Sequence, residues 1–164
     1  MEISKRIPFT QFDNGRTKRM REIDKIIIHC TATPDYNPTD VAFDRYSITD
    51  IERWHKAKGW DSCGYHYVIK RSGKIQRGRP DDTIGAHCKG HNSSSIGVCY
   101  IGSVTPTTMQ VAALYLVCCE IMLNYSLSFS DIFSHNSFNL AKTCPGFNID
   151  KLLNKFWEYR SIPW

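Results

Sequence analysis

The chain lacks an uninterrupted apolar run long enough to cross a bilayer. Its longest, Val111 to Leu123, is interrupted by Glu120, whereas a spanning helix needs about 20 apolar residues. No apolar core of signal-peptide length follows Met1-Glu-Ile-Ser-Lys5, so no secretion signal is read. A soluble protein, cytoplasmic at synthesis and without membrane insertion, is expected. No CxxC pair occurs among the cysteines at 30, 63, 88, 99, 118, 119 and 144, and an odd set with irregular spacing does not suit a disulfide framework. Buried reduced thiols are expected instead. Internal repeats, low-complexity tracts and long linkers are also missing, which leaves one domain for 164 residues.

A mild cationic surplus is present, 21 Lys and Arg against 16 Asp and Glu, and it favours anionic partners. The cluster Arg16-Thr-Lys-Arg-Met-Arg21 carries no interleaved aromatic residues, so it reads as a solvated tail and nucleic acid is not expected as a partner. Residues 1–23 form an N-terminal extension and 24–164 the folded body.

Within that body, Lys25 to Cys30 is a β-branched run suited to a strand buried on both faces. Thr31 to Ser47 reads as a loop. A helix is predicted from about Thr49, with Thr49-Asp-Ile-Glu52 as its capping box and Gly59 as its stop. Tyr65–Lys70 and Lys74–Gly78 form a hairpin around Arg71-Ser-Gly73, and Ser95–Ile101 is a further strand. A long helix opens at Thr105-Pro106, with proline in its first turn, and runs to about Tyr125; the last spans about Asp150 to Tyr159. Alternating strands and helices imply an α/β (α+β) domain with a central mixed sheet flanked by helices.

His29 closes the run Ile26-Ile27-Ile28, while His135 and Cys144 sit in Ser134-His-Asn-Ser-Phe-Asn-Leu-Ala-Lys-Thr-Cys-Pro-Gly-Phe147. Two imidazoles and a thiolate leave one corner of a zinc tetrahedron open, as catalytic zinc requires. His135 is also the only histidine beyond His91.

Several ordered blocks sharpen this. His29-Cys-Thr-Ala-Thr-Pro34, Trp54-His-Lys, Gly59-Trp60, Gly64-Tyr-His-Tyr-Val-Ile-Lys70, Gly85-Ala-His-Cys-Lys-Gly-His-Asn92, Ser95-Ile-Gly-Val-Cys99 and Lys142-Thr-Cys-Pro145 occur in turn. Together they resemble the zinc-dependent N-acetylmuramoyl-L-alanine amidases of the T7 lysozyme type, whose plan is shared by peptidoglycan recognition proteins. The resemblance covers about Asp24 to Trp157.

It implies that His29, His135 and Cys144 bind Zn2+, that Tyr65 and Lys142 are catalytic, and that His87 and Asn92 lie at a substrate groove. Tyr65 and His66 alternate on the predicted strand, so Tyr65 is expected to face the site and His66 the interior or the ligands' support. His55 is expected to be structural and His91 a solvated loop residue. The family usually places seven residues between the second histidine and the cysteine, whereas His135 and Cys144 enclose eight; an insertion near Asn139-Leu140 is the simplest way to absorb the extra one.

The implied activity is hydrolysis of the amide between N-acetylmuramic acid and L-alanine by a monomer acting on peptidoglycan. A phage endolysin, reaching the wall after release, is the favoured setting. An exported antibacterial amidase, a non-catalytic peptidoglycan-binding module of the same fold, and a cysteine hydrolase using Cys144 or Cys30 are the alternatives.

Overall fold

The computed structural model describes residues 21–160, together with two short strands, β1 (Phe12–Asp13) and β2 (Arg16–Thr17), which pair antiparallel. The cationic cluster thus falls outside the described residues, apart from the backbone of β2 and Arg21. The chain continues through β3 (Lys25–Cys30), α1 (Ile48–Lys56), β4 (Tyr67–Ile69), β5 (Ile75–Arg77), β6 (Ser95–Tyr100), α2 (Thr108–Tyr125), β7 (Ile132–Ser134) and α3 (Ile149–Arg160).

β3 to β7 make one five-stranded sheet in the order β5-β4-β6-β3-β7. β3 runs parallel to both β6 and β7, and β4 parallel to β6, while β5 returns antiparallel to β4. This is the expected mixed sheet. β3 holds the penultimate place in that order, with a parallel partner on each side, which is why Ile26, Ile27 and Ile28 are all fully buried.

Pleating separates the two faces. Ile26 and Ile28 of β3 join Ile96, Val98 and Tyr100 of β6 beneath Val111, Leu114, Val117 and Ile121 of α2 and Leu152 and Phe156 of α3. Each such large side chain stabilises the fold by about 1.5–3 kcal/mol. α2 is long and apolar enough by composition to cross a membrane, but these residues dock it on the sheet. The opposite face carries a smaller cluster, Ile51, Cys63, Val68 and Ile101, with Ile48 and Trp54 of α1 packed against it. His29 points to this side.

Two helix starts differ from expectation. α1 begins at Ile48, because Ser47 is the cap and the Asp50 carboxylate accepts its N–H at 3.0 Å; the Thr49–Glu52 box is not used. Thr107 caps α2, accepting the Gln110 N–H at 3.1 Å, so Pro106 precedes the helix instead of opening it. The Gln110 side chain is fully buried. Its Nε2 donates to the carbonyls of Ile69 and Ile101, and its Oε1 accepts from the Thr107 N–H and from Arg71. It pins the start of α2 to the ends of β4 and β6.

Candidate metal centre

Parallel strands present their carboxyl ends at one edge of a sheet, where open α/β sheets bind ligands. β3 and β7 pair through Ile28 and Ser134, so the next residues, His29 and His135, emerge side by side with ring centroids 4.5 Å apart. Cys144 arrives from the loop after β7. Its Sγ lies 3.8 Å from His29 Nδ1 and accepts the Cys30 backbone N–H at 3.2 Å. The ligand atoms of His29, His135 and Cys144 all lie within 4.8 Å of one another, close enough to hold a metal ion.

The eight-residue gap does not separate His135 from the group. The Asn136 N–H donates to the Cys144 carbonyl at 2.9 Å and pinches the loop at its base. The surplus length bulges outward at a turn closed by Lys142 N–H to the Asn139 carbonyl, with Leu140 95% exposed at its tip.

Burial holds the pKa of His29 well below the usual imidazole value, assisted by the neighbouring His87 and His135. His135 is lowered by burial and then by the Lys142 charge. Both shifts favour the neutral ring, the form that ligates a cation. The Cys144 thiol is raised by its hydrogen bond with Cys30 and by burial; a cation is what would turn it into a thiolate.

The Tyr65 ring lies 5.2 Å from that of His29. Burial, followed by Cys99 and Cys144, pushes its phenol well up, so it keeps its proton as a donor. β4 begins only at Tyr67, and the expected alternation does not extend back to Tyr65 and His66. Both rings approach His87, at 6.4 and 5.6 Å between centroids. Lys142 is exposed at the rim.

His87 departs from its expected place in a groove. It is 8% exposed and lies behind His29, its Nδ1 3.1 Å from His29 Nε2. Asn92 is likewise turned inward, its Oδ1 accepting the N–H groups of His87 and Cys88. His55 and His66 serve the backbone: their Nδ1 atoms accept the N–H of Gly64 at 2.9 Å and of Gly97 at 3.0 Å. His91 packs against Phe138, the two rings tilted by 38° with centroids 4.1 Å apart.

Sequence reasoning missed Arg21. Far from a solvated tail residue, it donates to the carbonyls of Asp81, Asn92 and Ser95 at 2.7, 3.0 and 3.0 Å and reaches His66 Nε2 at 2.7 Å. Nothing in its sequence context distinguishes it from the basic residues around it.

Residues 19–147 match the N-acetylmuramoyl-L-alanine amidase family. The chain is 34% identical to an endolysin of Klebsiella phage KP32, over 89% of this chain and 92% of that protein. With an endolysin of Escherichia phage T7 the identity is 33%, over 88% and 92%. Among solved structures, the N-acetylmuramoyl-L-alanine amidase LysC from Clostridium intestinale is similar with a TM-score of 0.70 and 26% identity, over 83% of this chain and 85% of that one. With this sheet, these helices and this sequence agreement across most of its length, the chain belongs to the N-acetylmuramoyl-L-alanine amidase family.

Proposed function

We propose that the protein is a zinc-dependent peptidoglycan hydrolase of the phage endolysin type, cleaving the amide between N-acetylmuramic acid and the L-alanine of the stem peptide. One observation carries this: two imidazoles and a thiol converge within 4.8 Å at the carboxyl edge of the sheet in a chain of the amidase family. The phage relatives span nearly the whole chain, which favours the endolysin setting.

The donor set fits zinc. Bond lengths near 2.0–2.3 Å in a tetrahedron place a nitrogen and a sulfur ligand about 3.6 Å apart, and His29 Nδ1 and Cys144 Sγ are separated by 3.8 Å. His29, His135 and Cys144 would hold the ion and leave one corner for water or substrate. Bound there, zinc supplies Lewis acidity and brings the pKa of water down to about 7.

The chain's own groups do the rest. Tyr65 keeps its hydroxyl proton and donates to the carbonyl oxygen as that atom gains charge, while Lys142 adds a cation from the rim; both are of the kind that stabilises an oxyanion. The buried floor behind His29 keeps the imidazole neutral and its lone pair available.

A strong chelator should abolish lysis of purified cell walls, and added Zn2+ should restore it. The digest should show new amino termini on alanine with no new reducing sugar ends. Full activity in chelator would remove the zinc mechanism, and reducing ends would indicate a glycosidase.

A further inference from the structure

His29 offers two ring nitrogens, and only a particular tautomer presents a lone pair to a cation beside Cys144. Nδ1 faces the cysteine sulfur at 3.8 Å, whereas Nε2 faces His87 at 3.1 Å. To ligate through Nδ1, His29 must carry its proton on Nε2 and donate it to His87 Nδ1.

What forces His87 to accept can be followed outward from the site. His87 Nε2 lies 3.5 Å from Ser95 Oγ, and Ser95 Oγ is 2.7 Å from the backbone carbonyl of His91. A carbonyl oxygen can only accept. The Ser95 hydroxyl therefore spends its proton on that carbonyl and turns a lone pair towards His87. His87 then holds its proton on Nε2, which leaves Nδ1 as the acceptor for His29.

The residues around this chain fix it in place. The His87 ring lies against Gly97 so closely that a Cβ there would stand 2.5 Å from the imidazole. Its backbone N–H is held by Asn92 Oδ1 at 2.9 Å. Ser95 is fully buried, and His87 nearly so.

We propose that His87 and Ser95 are positioning residues: a one-way hydrogen-bond relay, from His29 through His87 and Ser95 to the His91 carbonyl, locks His29 in the tautomer that aims Nδ1 at the metal position. The inference rests on the metal role proposed for His29, yet it makes a claim about the zinc-free protein that does not need the metal.

Nitrogen NMR of the full chain with labelled histidine, after zinc is removed by chelation, tests that claim. His29 should be found in the Nε2–H form. An Nδ1–H form overturns the relay, even if the protein binds zinc. Failure of the parent protein to bind zinc would instead overturn the metal role, which keeps the two failures distinct.

Variants add a second readout, zinc affinity by competition with a chromophoric chelator. His87→Phe fills the space without an acceptor and should weaken zinc binding by about 10–100-fold, with His29 populating both tautomers. His87→Asn restores an acceptor near the Nδ1 position and should recover most of the affinity. Unchanged affinity and tautomer in a folded His87→Phe protein would overturn the proposal. If that variant does not fold, the parent tautomer and His87→Asn decide the matter.

Discussion

The backbone N–H of Cys30 points at the sulfur of Cys144, 3.2 Å away, across 114 residues of sequence. A donor aimed at a thiolate stabilises its negative charge, so the residue beside one proposed ligand on β3 supports another from the far end of the chain. Cys144→Ser should therefore lose more zinc affinity than the roughly 10–100-fold typical of a supporting residue, and wall lysis should disappear. Metal analysis of the purified variant checks this; a zinc content equal to the parent's would mean that a different group is the third ligand.

Tyr65→Phe separates binding of the ion from use of it. The ring packing beside His29 is kept while the hydroxyl is lost. Zinc stoichiometry should stay the same, and kcat should fall by about 100–1,000-fold, the scale for removing one oxyanion donor. A variant with parental turnover would exclude the hydroxyl from the reaction.

The buried histidines make the fold sensitive to mild acid. His66 is fully buried, and burial, outweighing its bond to the Thr83 carbonyl, lowers its pKa from 6.5 to about 4. Between those values the unfolded chain binds a proton that the folded chain refuses. Stability is complete above about pH 6.5 and declines as pH falls towards 4, by on the order of 3 kcal/mol for this group. Urea titrations at pH 7 and 4.5 should show the loss. His66→Asn should show a shallower one, and identical slopes in both proteins would assign the acid sensitivity elsewhere.

Gln110→Leu removes four hydrogen bonds from a site without solvent access. Stranded carbonyl and N–H groups cost about 1–3 kcal/mol each, partly relieved here because the Ile69 carbonyl also accepts the Ile101 N–H. A net loss of about 3 kcal/mol is expected in urea unfolding, with zinc affinity little changed. A loss below 1 kcal/mol would show that the start of α2 is not held by this side chain.

Much of the fold was legible because its signals are local and chemically unambiguous. The Ile26–Ile28 run marks a buried strand, Gly73 in the left-handed region, with φ of +84°, marks a hairpin turn, and the order of motif blocks carries the family. The short strand β7 escaped notice, since Ile132-Phe-Ser134 has three residues and no period of its own; only pairing with β3 makes it a strand. The grouping of His29, His135 and Cys144 was readable from residue type and motif. The inward placement of His87 and Asn92 was not, because it depends on the absence of a side chain at Gly97 and on where a loop folds back, neither of which leaves a periodic trace.

The register of β3 has a further meaning for assembly of the chain. Strand side chains alternate, so sliding β3 by one position against β7 would turn His29 towards the helices and bring Ile28 or Cys30 to the other face. Such a slip need not disturb an almost uniformly apolar strand very much. It would, however, dismantle the donor group completely. A zinc ion held by these three donors would bind only the correctly aligned chain and would draw the population towards it by mass action. The ion proposed for chemistry would thus also proofread the alignment of a strand whose own sequence, Ile-Ile-Ile, says little about its register.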